Sequence, residues 1–375
     1  MKILFPLMAF YPSQIGGVSN TTYWLTKALY KEKIDVTIVS TNVGIEKNQI
    51  ETNKFIRTDY GKVFYGQGNA FNPKIILKAL SQVKHNDIVH INGLFDPIGL
   101  VTFIYTRLFF PSKILICSIR GGLSSVALSY SPVRKRFSLL FYRMQNKNVY
   151  FHGTSQKEIE DTKKVLKIKK NYFYLPNYIE PKKRFKNIEL KKKFIFLGRI
   201  HPIKSIENLI TAISVSNFFL INGFILEIVG TFENRHVSYY NKLKKLVQKL
   251  GLDNTVKFSG HIEGEDKERK LAESYALVLP SSTENFGNVV LEALNHGTPV
   301  IASKYTPWEI LEKYKTGIYT DNTPQALANS IDSIIKMNKK EYLSYRTNSI
   351  NLIDNKYTIK NNINNWVEIY NTYKK

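Results

Sequence analysis

Short β-type apolar runs alternate with helical patterns from one end of this chain to the other. That alternation leaves little room for anything but parallel sheets joined by crossover helices. The first half reads as a strand at Ile3–Phe10, a loop at Tyr11–Ser19, a helix from about Asn20 to Lys33 and a strand at Val36–Ser40. Further strands are expected at Asp87–Phe95, Lys113–Ser118, Val149–Gly153 and Tyr172–Leu175. Ser155 and Glu158 have capping-box spacing at the start of the next helix. Residues 44–71 are polar and irregular and show no legible element. The charged stretch 179–193 lacks core patterning and reads as an interdomain linker. The alternation restarts with strands at Phe194–Leu197, Ile225–Val229, Thr255–Ser259, Tyr275–Leu279 and Thr298–Ser303, and an amphipathic helix at Tyr357–Tyr373 follows. A length of 375 residues suits two domains, here 1–178 and 194–356.

The sharpest local signal is the run Ser281–Leu294. The strand before it is closed by Pro280; after it Val289, Val290, Ala293 and Leu294 recur at helical spacing until His296-Gly297 stops the helix. Glu284 therefore falls in a strand-to-helix loop and Glu292 about two turns further on. Gly287 lets a ligand approach the backbone, and the N–H groups of the new helix attract an anion. A carboxylate on each side of such a turn suits a ligand carrying both phosphates and sugar hydroxyls. Spacing alone would equally describe a loop carboxylate and an exposed helical one.

The letters around the two glutamates resemble the E-x7-E signature of the family-4 glycosyltransferases. Other segments extend the resemblance in order along nearly the whole chain: Gly16-Gly17, Gly198-Arg199 with Lys204, Gly230-Thr231 and Gly260-His261. The resemblance implies a GT-B fold, with two Rossmann-like parallel-sheet domains facing across a cleft. Residues 1–178 would bind the acceptor and 194–356 the nucleotide-sugar, with a terminal helix at about 357–375 crossing back to the first domain. It also implies transfer with retention of anomeric configuration, of the kind found in bacterial surface-polysaccharide synthesis.

Residue roles follow from the same resemblance. Arg199 and Lys204 would clamp the diphosphate, a guanidinium fork beside a point charge, with Ser205 standing where glycine is usual. Glu284 would hold the donor sugar, and these three form the expected catalytic set. Glu292 would accept from ribose hydroxyls, and the backbone at Asn285, Phe286, Gly287, Asn288 and Val289 would hold sugar and phosphate. Gly16, Gly17, Gly198, Gly230, Thr231 and Ile262 complete the expected donor contacts. On the acceptor or sugar side stand His90, Asn92 and Arg120. Asn92 replaces the second histidine of a "His-x-His-Gly-Leu" segment, and Arg120 sits in a "Ser-x-Arg-Gly-x-Leu" pattern. His90 reads either as facing the cleft or as a buried structural histidine. The implied donor is a nucleotide-sugar, with uridine diphosphate donors commonest in the family, and the implied acceptor a glycan or polyprenyl-linked glycan. No Asp-x-Asp motif and no His/Cys cluster at ligand spacing occurs, so metal-independent transfer without a cofactor is expected.

Composition narrows the setting. A single cysteine, Cys117, excludes a disulfide framework and fits a reducing compartment. No apolar run is long enough to span a bilayer, and Met1–Phe10 reads as a first buried strand instead of a signal peptide. The net charge is +24, and no Asp or Glu occurs between Asp96 and Glu158 while nine Lys or Arg do. Within that stretch the helix read at Pro132–Lys147 interleaves Arg134, Lys135, Arg136, Arg143 and Lys147 with Phe137, Leu140, Phe141 and Met144. Such a helix lies either on an anionic membrane or against a core with a solvated basic back. The expected setting is cytoplasmic and peripheral, on the inner face of the membrane. Two rivals remain: a nucleotide-sugar-modifying enzyme such as an epimerase, and a basic nucleic-acid-binding protein. No nucleic-acid-binding module is recognisable, so nucleic acid is not an expected partner.

Overall fold

The structure, a computed structural model, describes residues 1–13, 16–46, 49–144 and 147–374. Gln14 and Ile15 of the loop read at Tyr11–Ser19 lie outside the described residues, as do Lys47 and Asn48, Gln145 and Asn146 of the basic helix, and Lys375. The chain divides into two compact units, Met1–Glu180 with Thr358–Lys375, and Pro181–Tyr357.

In the first unit the strands are β1 (Lys2–Pro6), β2 (Asp35–Thr41), β3 (Phe55–Thr58), β4 (Gly61–Gly66), β5 (Ile88–Asn92), β6 (Ile114–Ser118), β7 (Val149–Gly153) and β8 (Tyr172–Tyr174). Between them run α1 (Gly16–Lys31), α2 (Pro73–Val83), α3 (Pro97–Phe109), α4 (Ser125–Ser129), α5 (Pro132–Arg143) and α6 (Gln156–Leu166). The sheet order is β3-β4-β2-β1-β5-β6-β7-β8, parallel throughout except for the β3–β4 pair. Helices cover both faces of such a sheet, so its central strands are apolar at nearly every position. β5 and β6 are buried along their whole length.

Three expectations shift here. The 44–71 region holds β3 and β4; β3 is a four-residue edge strand, half exposed, too short to show a period. The first helix begins at Gly16, so the Gly-Gly pair opens it and does not sit in the loop before it. Ser155 does cap α6, its hydroxyl accepting from the Glu158 N–H at 3.1 Å. The Glu158 carboxylate does not return the bond; it takes the N–H groups of Thr154 and Gly121 instead.

The second unit contains β9 (Lys193–Leu197), β10 (Ile225–Val229), β11 (Val256–Gly260), β12 (Ala276–Leu279), β13 (Val300–Ser303) and β14 (Gly317–Thr320). Its helices are α7 (Ile206–Val215), α8 (Asn217–Ile221), α9 (Val237–Lys249), α10 (Gly264–Glu273), α11 (Asn288–Asn295), α12 (Ile310–Lys313), α13 (Pro324–Lys336) and α14 (Lys339–Leu352). All six strands are parallel, in the order β11-β10-β9-β12-β13-β14. The stretch read as a linker is largely fastened to this unit. Arg184 pairs with Asp354, and Lys193 is already a buried strand residue paired with Glu227 at 3.0 Å.

The last helix, α15 (Ile359–Lys374), belongs to the first unit. Ile359, Ile363, Trp366 and Tyr370 recur at the spacing of one helical face. That face is buried with Ile3, Phe5, Leu25 and Ile38.

Candidate active site

In the second unit the strand order reverses between β9 and β12. The carboxyl ends of the strands at such a reversal form the crevice where open parallel sheets bind ligands. The chain leaving β9 is Gly198–Lys204, and the chain leaving β12 carries Ser281–Gly287. Topology therefore brings two segments eighty residues apart to one place.

Lys204 and Glu284 meet there, the ammonium donating to Glu284 Oε2, with both side chains mostly buried. The Ser281 hydroxyl approaches the same oxygen at 3.3 Å. Ser205, next along, adopts φ 48°, ψ 44°. This left-handed backbone explains why glycine is the easier residue there, since any Cβ costs about 1–2 kcal/mol in that region. Gly287 is left-handed as well (φ 79°) and caps α11. Its Cβ position is crowded by Leu279 at 3.1 Å and by the Glu284 side chain at 3.2 Å. The turn before it is pinned by Trp308, whose indole N–H donates to the Phe286 carbonyl and whose ring meets the Phe286 ring edge-on at 5.1 Å. The N-terminus of α11 thus opens beside the Lys204–Glu284 pair.

Arg199 stands apart from that pair. Its exposed guanidinium is 3.5 Å from Glu233, which also pairs with Arg235 at 2.7 Å. His201, two residues on, is buried beside His236, with ring centroids 4.2 Å apart. Burial first, then His236 and Arg199, push its imidazole down to about 4. Gly230 has to be glycine, because a Cβ there would sit 1.8 Å from the Gly198 carbonyl oxygen. Thr231 is exposed at the same edge, its carbonyl accepting from Ile200 N–H at 2.8 Å. Ile262 follows the end of β11, half-buried.

Glu292, on α11, is engaged by Lys267 of α10 at 3.1 Å. Lys267 also lies 3.7 Å from Glu268, which in turn meets the buried His296 ring at 2.6 Å. Burial pulls the Lys267 ammonium down, but Glu292 and Glu268 outweigh it and hold the group above the ordinary lysine value. Glu268 is held below the usual carboxylate range against the pull of burial, mainly by His296 and Lys267.

The first unit gathers the other expected residues at the carboxyl ends of β5 and β6. His90 is fully buried. Tyr370 of α15 lies 2.7 Å from its Nδ1 and Ser118 2.8 Å from its Nε2. Ser118 continues to His152 Nδ1 at 2.7 Å, and His152 Nε2 donates to the Leu175 carbonyl at 2.9 Å. His90 is therefore a core group tying β5 to the C-terminal helix, the structural alternative of the two sequence readings. Arg120, left-handed at φ 55°, is half-buried. Its guanidinium donates twice to Asn92 Oδ1 (3.1 and 2.9 Å) and once to Asn177 Oδ1 (2.7 Å). Burial lowers it to about 10, with Glu158 opposing. Asn92 Nδ2 is buried without a partner beside this cation. Gly16 and Gly17 open α1 behind the end of β1.

Sequence reasoning read Glu158 only as a capping-box residue, and missed Glu233, Lys267, Asn177 and Trp308. None stands at a telling spacing from the residue it serves, so only the fold reveals them. Among the described residues, no three His, Cys, Asp or Glu side chains gather as a metal site.

Comparison with known proteins defines the class. The fold is similar to that of the Anabaena protein Alr3699/HepE, solved in complex with UDP and glucose, over 99% of this chain and 100% of that one, with a TM-score of 0.79 and 19% identity. The sucrose-phosphate synthase of Thermosynechococcus elongatus matches with a TM-score of 0.77 and 18% identity, over 99% and 98% of the two chains. An uncharacterized glycosyltransferase of Methanocaldococcus jannaschii, MJ1069, is 25% identical over 98% of this chain and 97% of its own. The protein is a glycosyltransferase with the GT-B fold. More narrowly, residues 177–351 match the family described as "Glycosyl transferases group 1", a span that contains Arg199, Lys204, Glu284 and Glu292. Over a shorter stretch, 29% of this chain, it is 31% identical to the D-inositol 3-phosphate glycosyltransferase of Streptomyces avermitilis.

Proposed function

We propose that the protein moves a sugar from a nucleoside diphosphate sugar, UDP-sugars being the first class to try, to a lipid-linked glycan with retention of configuration. The observation that carries this reading is the Lys204–Glu284 pair beside the N-terminus of α11, at the strand-order reversal of the second sheet. A diphosphate arriving there meets an ammonium, a helix N-terminus and, after a rotamer change, the Arg199 guanidinium. The bond from the sugar's anomeric carbon to the diphosphate oxygen breaks, and negative charge develops where these groups lie. The acceptor hydroxyl attacks from the same face and gives its proton to the departing phosphate oxygen. Glu284 holds the sugar, and Glu292 takes the ribose hydroxyls. The cations neutralise the leaving group without a metal ion, and no cofactor is required. Attachment to the inner face of the membrane as a peripheral protein fits a lipid-linked acceptor, and among the described residues no helix is long and apolar enough to cross a bilayer.

The test is acceptor-dependent nucleotide release across a donor panel, with the product anomer read by NMR. Release should persist in a chelator. Lys204→Ala should lose roughly 10- to 150-fold in turnover, the worth of a charged hydrogen bond, while its thermal unfolding stays close to wild type. Near-normal turnover in that variant removes the assignment. Donor modification without nucleotide release would favour the epimerase reading.

A further inference from the structure

Helix α5 lies with its apolar stripe outward. Its buried residues are Ser138, Leu139 and Tyr142, and the Tyr142 hydroxyl donates to the Leu94 carbonyl at 2.9 Å. Lys135 also turns inward, to the Ala127 carbonyl and the Phe95 ring at 5.1 Å, so it is not part of the basic surface that the sequence suggests. The side chains left in solvent are Val133 (81% exposed), Phe137 (64%), Leu140 (52%) and Met144 (65%). Their spacing places them in one stripe, within roughly 60° of arc at about 100° per residue. On the same reckoning Arg134 flanks one side of the stripe, and Arg136 and Arg143 the other. The end of α3 adds to the patch: Arg107 donates to the Met144 carbonyl at 2.7 Å, and Leu108 and Phe109 beside it are also exposed. No Asp or Glu occurs anywhere from 97 to 157.

We propose that this stripe is a docking surface for an anionic lipid bilayer, with Phe137, Leu140 and Met144 entering the interface and the flanking arginines contacting acidic headgroups. An apolar ridge with guanidinium groups on both sides is the pattern of a helix lying in the plane of a membrane surface. A second copy of this chain is a poor occupant, because each copy carries a net charge of +24. The proposal deepens the lipid-linked acceptor of the proposed function. Vesicle binding is measured without donor or acceptor, so its failure leaves the sugar-transfer reading standing.

The experiment is sedimentation of the full-length protein with phosphatidylcholine vesicles, with or without a quarter of phosphatidylglycerol, at low and high salt. Binding should require the anionic lipid and weaken with salt. Each basic side chain near an anionic surface is worth about a factor of five. Arg134→Glu combined with Arg136→Glu should therefore lose at least about twenty-five-fold in affinity, with nucleotide release to a soluble acceptor unchanged. Tryptophan placed by Phe137→Trp should shift its emission to the blue on anionic vesicles and not on polyglutamate. The proposal is overturned if wild type ignores anionic vesicles at low salt, or if the double variant binds them equally. It is also overturned if Phe137→Trp emission stays fixed while the protein binds, which would assign the charge to an acidic macromolecule instead.

Discussion

The two units arrange polar groups at their sheet edges in opposite ways. Beneath the β5–β6 edge of the first unit runs a neutral chain of hydrogen bonds. Because a carbonyl only accepts, Leu175 fixes its direction: His152 Nε2–H donates to Leu175, the Ser118 hydroxyl to His152, His90 Nε2–H to Ser118, and the Tyr370 hydroxyl to His90. Every member is buried or nearly so, and none need be charged. At the β9–β12 edge of the second unit the groups come as ion pairs, Lys204–Glu284, Lys267–Glu292 and Arg199–Glu233. A neutral chain of fixed direction specifies one geometry. On the proposed function, ion pairs at the second edge would hold cations that exchange a carboxylate for a phosphate, which would make that arrangement a binding surface and the first a platform.

Acid should break the comparison most strongly. Burial, then Arg120, holds the His152 imidazole down at about 3, and burial and His152 hold His90 well below its ordinary value. A base depressed in the folded state imposes no cost above its unfolded value of about 6.5. Below that pH the unfolded chain takes up protons and the folded core does not, so stability falls, and for His152 the loss is complete only near 3. The advantage of wild type over His152→Asn should thus shrink by about 1.4 kcal/mol per pH unit below 6.5, roughly 3 kcal/mol by pH 4. Glu227 of the second unit behaves oppositely. Lys270, Ser259 and Lys193 overcome its burial and bring it to about 2. Its contribution is full above the ordinary glutamate range and is lost only as pH falls towards 2, so the advantage over Glu227→Gln should stay flat between pH 7 and 5. Thermal unfolding of both variants across this range reads the contrast. Equal slopes for the two would erase the distinction between the units.

A middle-sized effect is expected at Lys267. It pairs with Glu292 at 3.1 Å, and on the proposed function it acts as a positioning residue. Lys267→Met should raise the donor KM about tenfold, the worth of one charged hydrogen bond, with kcat little changed and Lys267→Arg recovering part of the loss. A fall in kcat at constant KM would place Lys267 or Glu292 nearer the reacting bond than proposed.

The second unit's site was more legible in the sequence than the first unit's, for a physical reason. The turn from β12 into α11 packs the candidate residues into one contiguous stretch, so Glu284, Gly287 and Glu292 show at fixed spacing. Gly230 shows because backbone contact with Gly198 excludes every side chain. Lys267 does not show, since only the packing of α10 beside α11 brings it to Glu292. His90 is hidden for the same reason at longer range: its partner Tyr370 lies 280 residues away. α5 announced its amphipathic period correctly, but period alone does not say which face goes inward. Burial of Leu139 and Tyr142, with the Tyr142 hydroxyl bonded to the Leu94 carbonyl, decides that and leaves Phe137 and Leu140 in solvent.

The smallest expected effect concerns Glu233. Its carboxylate lies 3.5 Å from the Arg199 guanidinium, on an exposed part of the loop after β10. Exposed pairs of this kind contribute about 0.2–1 kcal/mol, so the carboxylate is a weak competitor for the cation a diphosphate would use. Glu233→Gln releases Arg199 while keeping the shape of the side chain. Donor affinity, read by calorimetry with the nucleoside diphosphate, should then improve by about two- to fivefold, and the gain should fade as salt screens the pair. Arg235 limits the gain, because it occupies the other Glu233 oxygen at 2.7 Å and already weakens the hold on Arg199. Affinity that falls on this substitution would mean Glu233 positions Arg199 for the phosphate instead of competing with it. The ion pairs of the second unit would then be scaffolding, like the neutral chain of the first.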